Sequence, residues 1–304
     1  MHPDFEHLIE SWDLTLEADG YSKNTRASYG QAVHRLAGWM AEHAPDATPA
    51  GLNRNHIRGW LADLRENTSP NTARGWFAGV RHFSRWLVAE GELVEDATLS
   101  IRTPRQGDPR TPTLRDDQIA DMLATCAGAG FAARRDAAII YVFFDGGVRL
   151  AEHTGLKVDD FDVRDRMLFV HGKGSNRSGP RLRAVQLGVK AARALDRYLR
   201  ERRRHPFHDL PDLWLGDRNR GPMSTHGIKA VVQRRAAQAG IDHLHPHMFR
   251  HTWASEFRKA GGEEGDLMVL GGWRSRQMLD RYGKAAAEDR ARAAYRSRSL
   301  GDRL

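Results

Sequence analysis

Residues 247–251 read His-Met-Phe-Arg-His, residues 270–273 read Leu-Gly-Gly-Trp, and a tyrosine follows at position 282. The first of these segments predicts a helix in which His247 and Arg250 lie about one turn apart and share a face. Together the segments supply several hydrogen-bond donors and one hydroxyl that can act as a nucleophile. Each residue alone carries no signal, so the inference depends on the whole set and on its partners upstream.

Arg149 lies far upstream, and together with Arg250 it provides two guanidinium groups for an anionic phosphate. A guanidinium binds two oxygens as a bidentate fork, which lysine cannot do. Glu152 follows three residues after Arg149 on the same predicted helical face, so its carboxylate can orient that guanidinium. Taken alone, this segment would be interpreted more simply as a surface ion pair.

The remaining residues complete a site that would cleave a phosphodiester. His247 follows Pro246 at a predicted helix N-terminus, where backbone N–H groups favour an anion. Trp273 can donate an indole hydrogen bond or support the site, and Lys173 could protonate the leaving 5′-oxygen as a general acid. Tyr282 would attack the phosphate, and its product would be a covalent 3′-phosphotyrosine. Charge stabilisation by these donors requires no metal ion and no cofactor.

Composition limits the class of protein. The chain has 304 residues, of which 28% are charged and 40% hydrophobic, as in water-soluble proteins with room for two domains. No segment is apolar for the length of a membrane span, and the single cysteine, Cys126, has no internal disulfide partner. We therefore expect a cytoplasmic, nucleoid-associated protein. The formal net charge of +8 suits a polyanionic partner.

Charge is distributed unevenly along the chain. Residues 1–102 hold 10 Lys/Arg and 14 Asp/Glu, a net of −4, which leaves 37 basic and 25 acidic residues, a net of +12, for 103–304. Several basic side chains fall outside the apolar helix faces or in the linker and are candidate phosphate contacts, although solvated surface charge explains them as well. These candidate DNA contacts are Lys23, Arg26, Arg74, Arg81, Arg85, Arg105 and Arg110.

Residues 1–102 predict a helical domain. Apolar residues recur at helical spacing over about residues 5–18, 22–40, 54–64 and 69–87. The aromatic residues in these stripes have the period of a buried face, so they are assigned to the core and not to base stacking. Residues 103–113 contain three prolines and one glycine and predict a linker.

Residues 114–304 predict a second, mostly helical domain with a small sheet. Residues 166–171 and 181–187 have the pattern of strands, and turn residues at 172–176 join them into a hairpin with Lys173 near its tip. Helices are predicted over 136–144, 189–203, 225–239, 246–259 and 275–282, and an Ala- and Arg-rich helical tail over 285–298. The predicted fold class is therefore mainly α with a small antiparallel β-sheet (α+β).

This ordered set resembles the active site of the tyrosine recombinases of the phage integrase family, relatives of Xer and Cre. The resemblance implies a helical, SAM-like core-binding domain at 1–102, a linker at 103–113 and a catalytic domain at 114–304. It implies a catalytic set of Arg149, Lys173, His247, Arg250, Trp273 and Tyr282, with Glu152 as the accessory acid. Trp273 takes the place of the family's usual histidine, and His153 is found where the family often has leucine.

The same resemblance implies a mechanism and partners. We expect the substrate to be double-stranded DNA with an inverted-repeat core site. Four protomers would join two sites through a Holliday junction, with the C-terminal tail docked on a neighbouring protomer. The outcome would be integration or excision of a mobile element, or resolution of DNA, and an accessory directionality factor is possible. Because the chain begins with core-binding helices, we expect no arm-binding domain, and we expect no membrane partner.

Three other interpretations stay open at this point. The histidines at 243, 245, 247 and 251 could bind a metal ion, although no carboxylate or cysteine completes a recognisable pattern. A type IB topoisomerase uses the same tyrosine chemistry and would relax DNA that lacks any special site. A non-catalytic DNA-binding regulator would use the fold only to hold DNA, and the presence of Tyr282 argues against it.

Overall fold

The computed structural model describes residues 3–105, 107, 112–175, 179–217, 220–273, 275, 279 and 295–296. The chain divides into two compact units, Met1–Pro109 (unit 1) and Arg110–Leu304 (unit 2), and each has its own buried apolar cluster. The bounds of the linker, 103–113, stay a prediction. Arg110 lies outside the described residues.

Unit 1 contains four α-helices within its described residues, and they confirm the four that were predicted. Three of them begin at a capping side chain, and these caps satisfy N–H groups that have no partner inside a helix. Ser22 Oγ accepts from the Thr25 N–H at 3.3 Å, and Ser69 Oγ accepts from the Thr72 N–H at 3.2 Å. Asn53 caps the third. The helices are α1 (Pro3–Ala18), α2 (Lys23–His43), α3 (Arg54–Asn67) and α4 (Pro70–Ala89).

The apolar face of α4 is the centre of the unit 1 core. Val80, Phe83 and Leu87 are fully buried, as their spacing predicts. Trp76, which was assigned to the same stripe, is partly buried and packs against this core. The guanidinium of Arg35 lies 4.3 Å from the centroid of its ring, so a cation–π contact covers the indole.

Unit 2 has seven helices and three strands within its described residues. The helices are α5 (Asp116–Ala124), α6 (Phe131–Gly146), α7 (Leu150–Thr154), α8 (Val189–Arg202), α9 (Thr225–Gln238), α10 (Pro246–Lys259) and α11 (Glu264–Gly271). The strands β1 (Phe161–Asp162), β2 (Met167–Ser175) and β3 (Gly179–Gln186) form one antiparallel sheet in the order β1-β2-β3. The predicted fold class is confirmed. No helix in the described ranges is long and apolar enough to cross a bilayer.

The β2–β3 hairpin extends further than predicted. Gly172 pairs with Arg181, and pairing resumes between Ser175 and Gly179 after an irregularity. β2 therefore continues through Lys173, where a turn was predicted from residue 172, because β3 supplies backbone partners for the glycine-rich segment. The short elements α5, α11 and β1 were not predicted, and α7 was predicted only as the helical turn that carries Glu152. The predicted helix at 275–282 and the tail at 285–298 lie almost entirely outside the described residues.

A buried charge cluster ties α6 to α9. Asp136 has no exposed surface, and its carboxylate accepts hydrogen bonds from Arg135, Arg234 and Arg235 at 2.7 to 3.0 Å. Arg135 is also buried and donates to the Leu215 carbonyl at 3.2 Å. Loss of the carboxylate would leave buried guanidinium charge without compensation, which is far more costly than loss of an exposed pair.

We therefore predict that Asp136→Asn lowers the free energy of unfolding by about 3–5 kcal/mol. Urea denaturation of the full chain measures this value. The control is Asp117→Asn, which removes an exposed ion pair with Arg115 and should change stability by less than about 0.5 kcal/mol. If both variants lose a similarly small amount of unfolding free energy, the Asp136 cluster does not have this structural role.

Candidate active site

The site begins at the turn that follows α6. Gly147 ends this helix with φ +55°, in the left-handed region that favours glycine. A Cβ at this position would overlap the indole ring of Trp253, so space also requires glycine here. The turn places Arg149 directly before α7 and turns the Gly147 carbonyl toward α10.

Arg149 and Glu152 contact each other through two hydrogen bonds. Arg149 is the N-cap residue of α7, so the expectation that both residues share a helical face is corrected. The carboxylate of Glu152 accepts one bond from the Arg149 backbone N–H and one from Arg149 Nη1, both at 2.8 Å. The Arg149 side chain is 37% exposed and that of Glu152 only 6%. The carboxylate thus orients a guanidinium that solvent can still reach.

Arg183 of β3 is a second cation on Glu152 that sequence reasoning missed. Arg183 Nη1 and Nη2 donate to the two carboxylate oxygens at 3.1 and 2.8 Å, as a bidentate fork. Burial alone would raise the pKa of Glu152, but the hydrogen bonds and charges of Arg183 and Arg149 outweigh it and hold the pKa at about 2. Glu152 is therefore ionised at neutral pH.

A signal for Arg183 was present in the strand pattern. Side chains alternate across a strand, so Arg183 shares a face with Val185, which is buried. An arginine on the buried face of a strand requires an anionic or carbonyl partner. The alternation alone does not say which partner that is.

The C-terminus of α11 meets two arginines. Gly272 ends the helix in the left-handed conformation, with φ +62°, and leaves carbonyl groups of the last turn without helical partners. Arg183 Nε donates to the Leu270 carbonyl at 2.9 Å, and Arg250 Nη2 donates to the Gly271 carbonyl. Cations are favoured at this end of a helix because the backbone dipole is negative there.

Arg250 is fully buried at the centre of the site. Its Nη1 donates to the Gly147 carbonyl at 2.6 Å, so it joins the turn after α6 to the end of α11. The guanidinium lies 4.3 Å from the centroid of the Trp273 ring. Trp273 is 4% exposed and packs against Trp253 at 6.0 Å between ring centroids. The indole of Trp273 thus supports the guanidinium by a cation–π contact.

His247 lies in the first turn of α10, as predicted, and its side chain is exposed. Its ring meets that of His251 edge-on, with 4.7 Å between centroids. Partial desolvation lowers the pKa of His247, and the positive charges of Arg250, His245 and Arg149 add to the effect. Burial and the charges of His247, His245 and Arg250 lower the pKa of His251 to about 3. Both imidazoles are therefore neutral at pH 7.

The structure brings five of the seven predicted catalytic residues to one place: Arg149, Glu152, His247, Arg250 and Trp273. Lys173 lies on β2 in the distal half of the hairpin, and its side-chain position is not described. Tyr282 lies outside the described residues. The assignment of catalytic roles to all seven stays a prediction.

Three predicted DNA contacts of unit 1 have partners within the protein. Arg26 contacts Asp13 and Glu17 of α1 at 2.6 Å, and its side chain is 19% exposed. Arg81 Nη2 donates to the Ile101 carbonyl at 3.0 Å, and Arg85 forms a weak ion pair with Asp96 at 3.5 Å. These contacts give Arg26 and Arg81 structural roles that their positions outside the apolar stripe did not reveal. The exposed candidates are Lys23, Arg74, Arg85 and Arg105.

The metal alternative has no support in the described part of the chain. No group of three or more His, Cys, Asp or Glu side chains there is arranged to hold a metal ion. His245 lies close enough to His247 and His251 to lower the pKa of both, but these side chains lack the arrangement that a metal ion needs within the described residues.

Two family models match this chain. The model of the phage integrase family matches residues 112–289, and that of the phage integrase N-terminal SAM-like domain matches residues 8–91. Tyrosine recombinase XerD of Pseudomonas putida is 30% identical over 273 residues, which cover 88% of this chain and 87% of that protein. Tyrosine recombinase XerC of Pseudomonas fluorescens is 32% identical over 238 residues, which cover 77% of this chain and 76% of that protein.

A solved structure has the same fold at low sequence identity. The XerH site-specific recombinase, bound to its palindromic difH substrate in a post-cleavage complex, aligns with a TM-score of 0.72 and 16% identity. The alignment covers 89% of this chain and 79% of that one. At this identity the likeness shows the fold alone.

The Glu152 cluster predicts a specific dependence of stability on pH. The pKa of Glu152 falls from an ordinary value of 4.5 to about 2 in the folded protein, so its ionised form stabilises the fold. The contribution, about 3 kcal/mol, is complete above pH 4.5 and is lost as the pH falls from there toward 2. Wild type should therefore have a higher free energy of unfolding than Glu152→Gln in urea, and this difference should become smaller from pH 6 to pH 3.

The matched control is Glu256→Gln, which removes a surface ion pair with Lys259. The free energy of unfolding of this variant should stay within about 0.5 kcal/mol of the wild-type value over the whole pH range. If the difference in unfolding free energy between wild type and Glu152→Gln does not change with pH, the ionised form of Glu152 does not stabilise the fold.

Proposed function

Since this chain belongs to the phage integrase family and is a tyrosine recombinase, we propose that it cuts and rejoins DNA at a specific core site through a covalent 3′-phosphotyrosine. The single observation that carries this proposal is the cluster around Arg149. There, two guanidinium groups, an orienting carboxylate and a histidine come from separate segments and meet at one corner of unit 2. Such a set of cationic donors suits a phosphodiester under attack.

The chemistry is assigned as follows. The oxygen of Tyr282 forms a bond to phosphorus, and the bond from phosphorus to the 5′-oxygen breaks. Neutral His247 accepts the tyrosine proton, and Lys173 gives a proton to the leaving 5′-oxygen. Arg149 and Arg250 stabilise the charge on the two non-bridging oxygens. Glu152 orients Arg149, and Trp273 supports Arg250.

Burial distinguishes the two guanidinium groups. Arg250 has no exposed surface, whereas the Arg149 side chain is 37% exposed. In this scheme a phosphate therefore meets Arg149 and His247 at the surface of the site, and Arg250 completes the set of donors from within.

We extend the proposal to the assembly. The substrate is double-stranded DNA with an inverted-repeat core site, and XerH, which shares the fold, is bound to a palindromic substrate. Four protomers join two sites through a Holliday junction, linked by the C-terminal tail, and act on nucleoid DNA in the cytoplasm. The reaction integrates or excises a mobile element or resolves DNA, with an accessory factor where direction must be controlled.

The test of the chemistry starts with a library of nicked duplexes that carry randomised inverted half-sites. Wild-type protein should form a covalent adduct that survives denaturation, and sequencing the trapped duplexes identifies the core site. Tyr282→Phe should bind the same duplex with unchanged affinity and form no adduct, because only the attacking oxygen is lost.

Tyr295→Phe is the control, since its side chain is 62% exposed and it lies beyond the assigned nucleophile. It should cleave at the wild-type rate. An adduct with Tyr282→Phe would refute the nucleophile, and relaxation of a plasmid that lacks the core site would favour a topoisomerase instead.

A further inference from the structure

Arg183 joins three elements of unit 2 through one side chain. It lies on β3, holds both oxygens of Glu152 on α7, and donates to the Leu270 carbonyl at the end of α11. Only 11% of its side chain is exposed. The fork geometry and the third bond from Nε require a planar guanidinium, so lysine cannot reproduce these contacts.

The strand that carries Arg183 is paired with the strand that carries Lys173. Arg183 is the partner of Val170 on β2, three residues before Lys173, a distance of about 10 Å along a strand. Regular pairing ends at Gly172 and Arg181, beyond which the register shifts. Lys173 therefore lies in the irregular distal part of the hairpin, and Arg183 fixes the regular part next to it.

A second polar contact of this hairpin is on the opposite face of the sheet. His171 contacts Asp160 at 2.9 Å, and the His171 side chain is 56% exposed. An exposed contact of this kind contributes little to position. The buried fork of Arg183 on Glu152 is the stronger anchor, and it holds the hairpin against the same carboxylate that orients Arg149.

We infer that Arg183 is a positioning residue that sets the placement of Lys173 relative to Arg149 and Arg250. This inference rests on the proposed function, in which Lys173 is the general acid. In that step the bond from phosphorus to the 5′-oxygen breaks and the Lys173 ammonium gives this oxygen its proton. Displacement of the hairpin moves the acid away from the leaving oxygen without removing either the nucleophile or the guanidinium groups.

The experiment compares two versions of the duplex recovered from the library, one ordinary and one with sulfur in place of the bridging 5′-oxygen. A thiolate leaves without a proton, so the sulfur substrate does not need the general acid. Single-turnover cleavage of both is measured for wild type, Arg183→Gln, Arg183→Lys and Lys173→Ala. The control is Leu182→Gln, because Leu182 is adjacent on β3, 61% exposed and on the opposite face.

Lys173→Ala should be slow on ordinary DNA and close to wild type on the sulfur substrate. Both Arg183 variants should show the same selectivity, with a defect on ordinary DNA that exceeds the defect on sulfur DNA by about tenfold or more. Arg183→Lys keeps the charge and serves if Arg183→Gln does not fold. Leu182→Gln should match wild type on both substrates.

Equal defects of the Arg183 variants on the two substrates would overturn the inference, since a general structural role slows both alike. The inference would also be overturned if Lys173→Ala cleaved both substrates slowly, because there would then be no general acid to position. Failure of the proposed function is a distinct outcome: wild-type protein would then trap no duplex from the library through Tyr282.

Discussion

The buried carboxylate of Glu152, held between two arginines, is the interaction on which the site depends. Removing a charge from water costs several kcal/mol, and only a partner with good geometry offsets it. Arg183 provides that geometry as a fork at 2.8 and 3.1 Å, and Arg149 adds two further bonds. A neutral side chain in place of either arginine leaves the buried carboxylate with one cationic partner and fewer hydrogen bonds, so α7 and β3 keep one relative position.

A chain of contacts spreads from this carboxylate through the rest of the site. Arg183 reaches the Leu270 carbonyl, Arg250 reaches the next carbonyl at Gly271, and Arg250 returns to Gly147 two residues before Arg149. The ring of contacts thus closes on itself. Each guanidinium lies against a carboxylate, helix-end carbonyls or an aromatic face, which fixes it before a phosphate arrives and reduces the reorganisation that the reaction requires.

Much of this arrangement could be predicted, because the helices carry caps and apolar periods and the catalytic candidates occur in a recognisable order. What the sequence could not reveal depends on tertiary contacts. Strand alternation places Arg183 on a buried face, but only the tertiary contacts show that its partner is Glu152. Arg250 was expected beside His247, but it is buried between two carbonyls and an indole. His153, unusual for the family, is a core residue stacked on Phe143 at 4.0 Å, and burial lowers its pKa to about 3.

A thermodynamic cycle between Glu152 and Arg183 tests the central claim most directly. The free energy of unfolding at pH 7 is measured by urea denaturation for wild type, Glu152→Gln, Arg183→Gln and the double variant. If the pair holds the site together, each single change removes the bidentate partner of a buried charge and the second change costs little more, which gives a coupling of about 2 kcal/mol or more. If the loss of unfolding free energy in the double variant equals the sum of the two single losses to within about 0.5 kcal/mol, the account is contradicted.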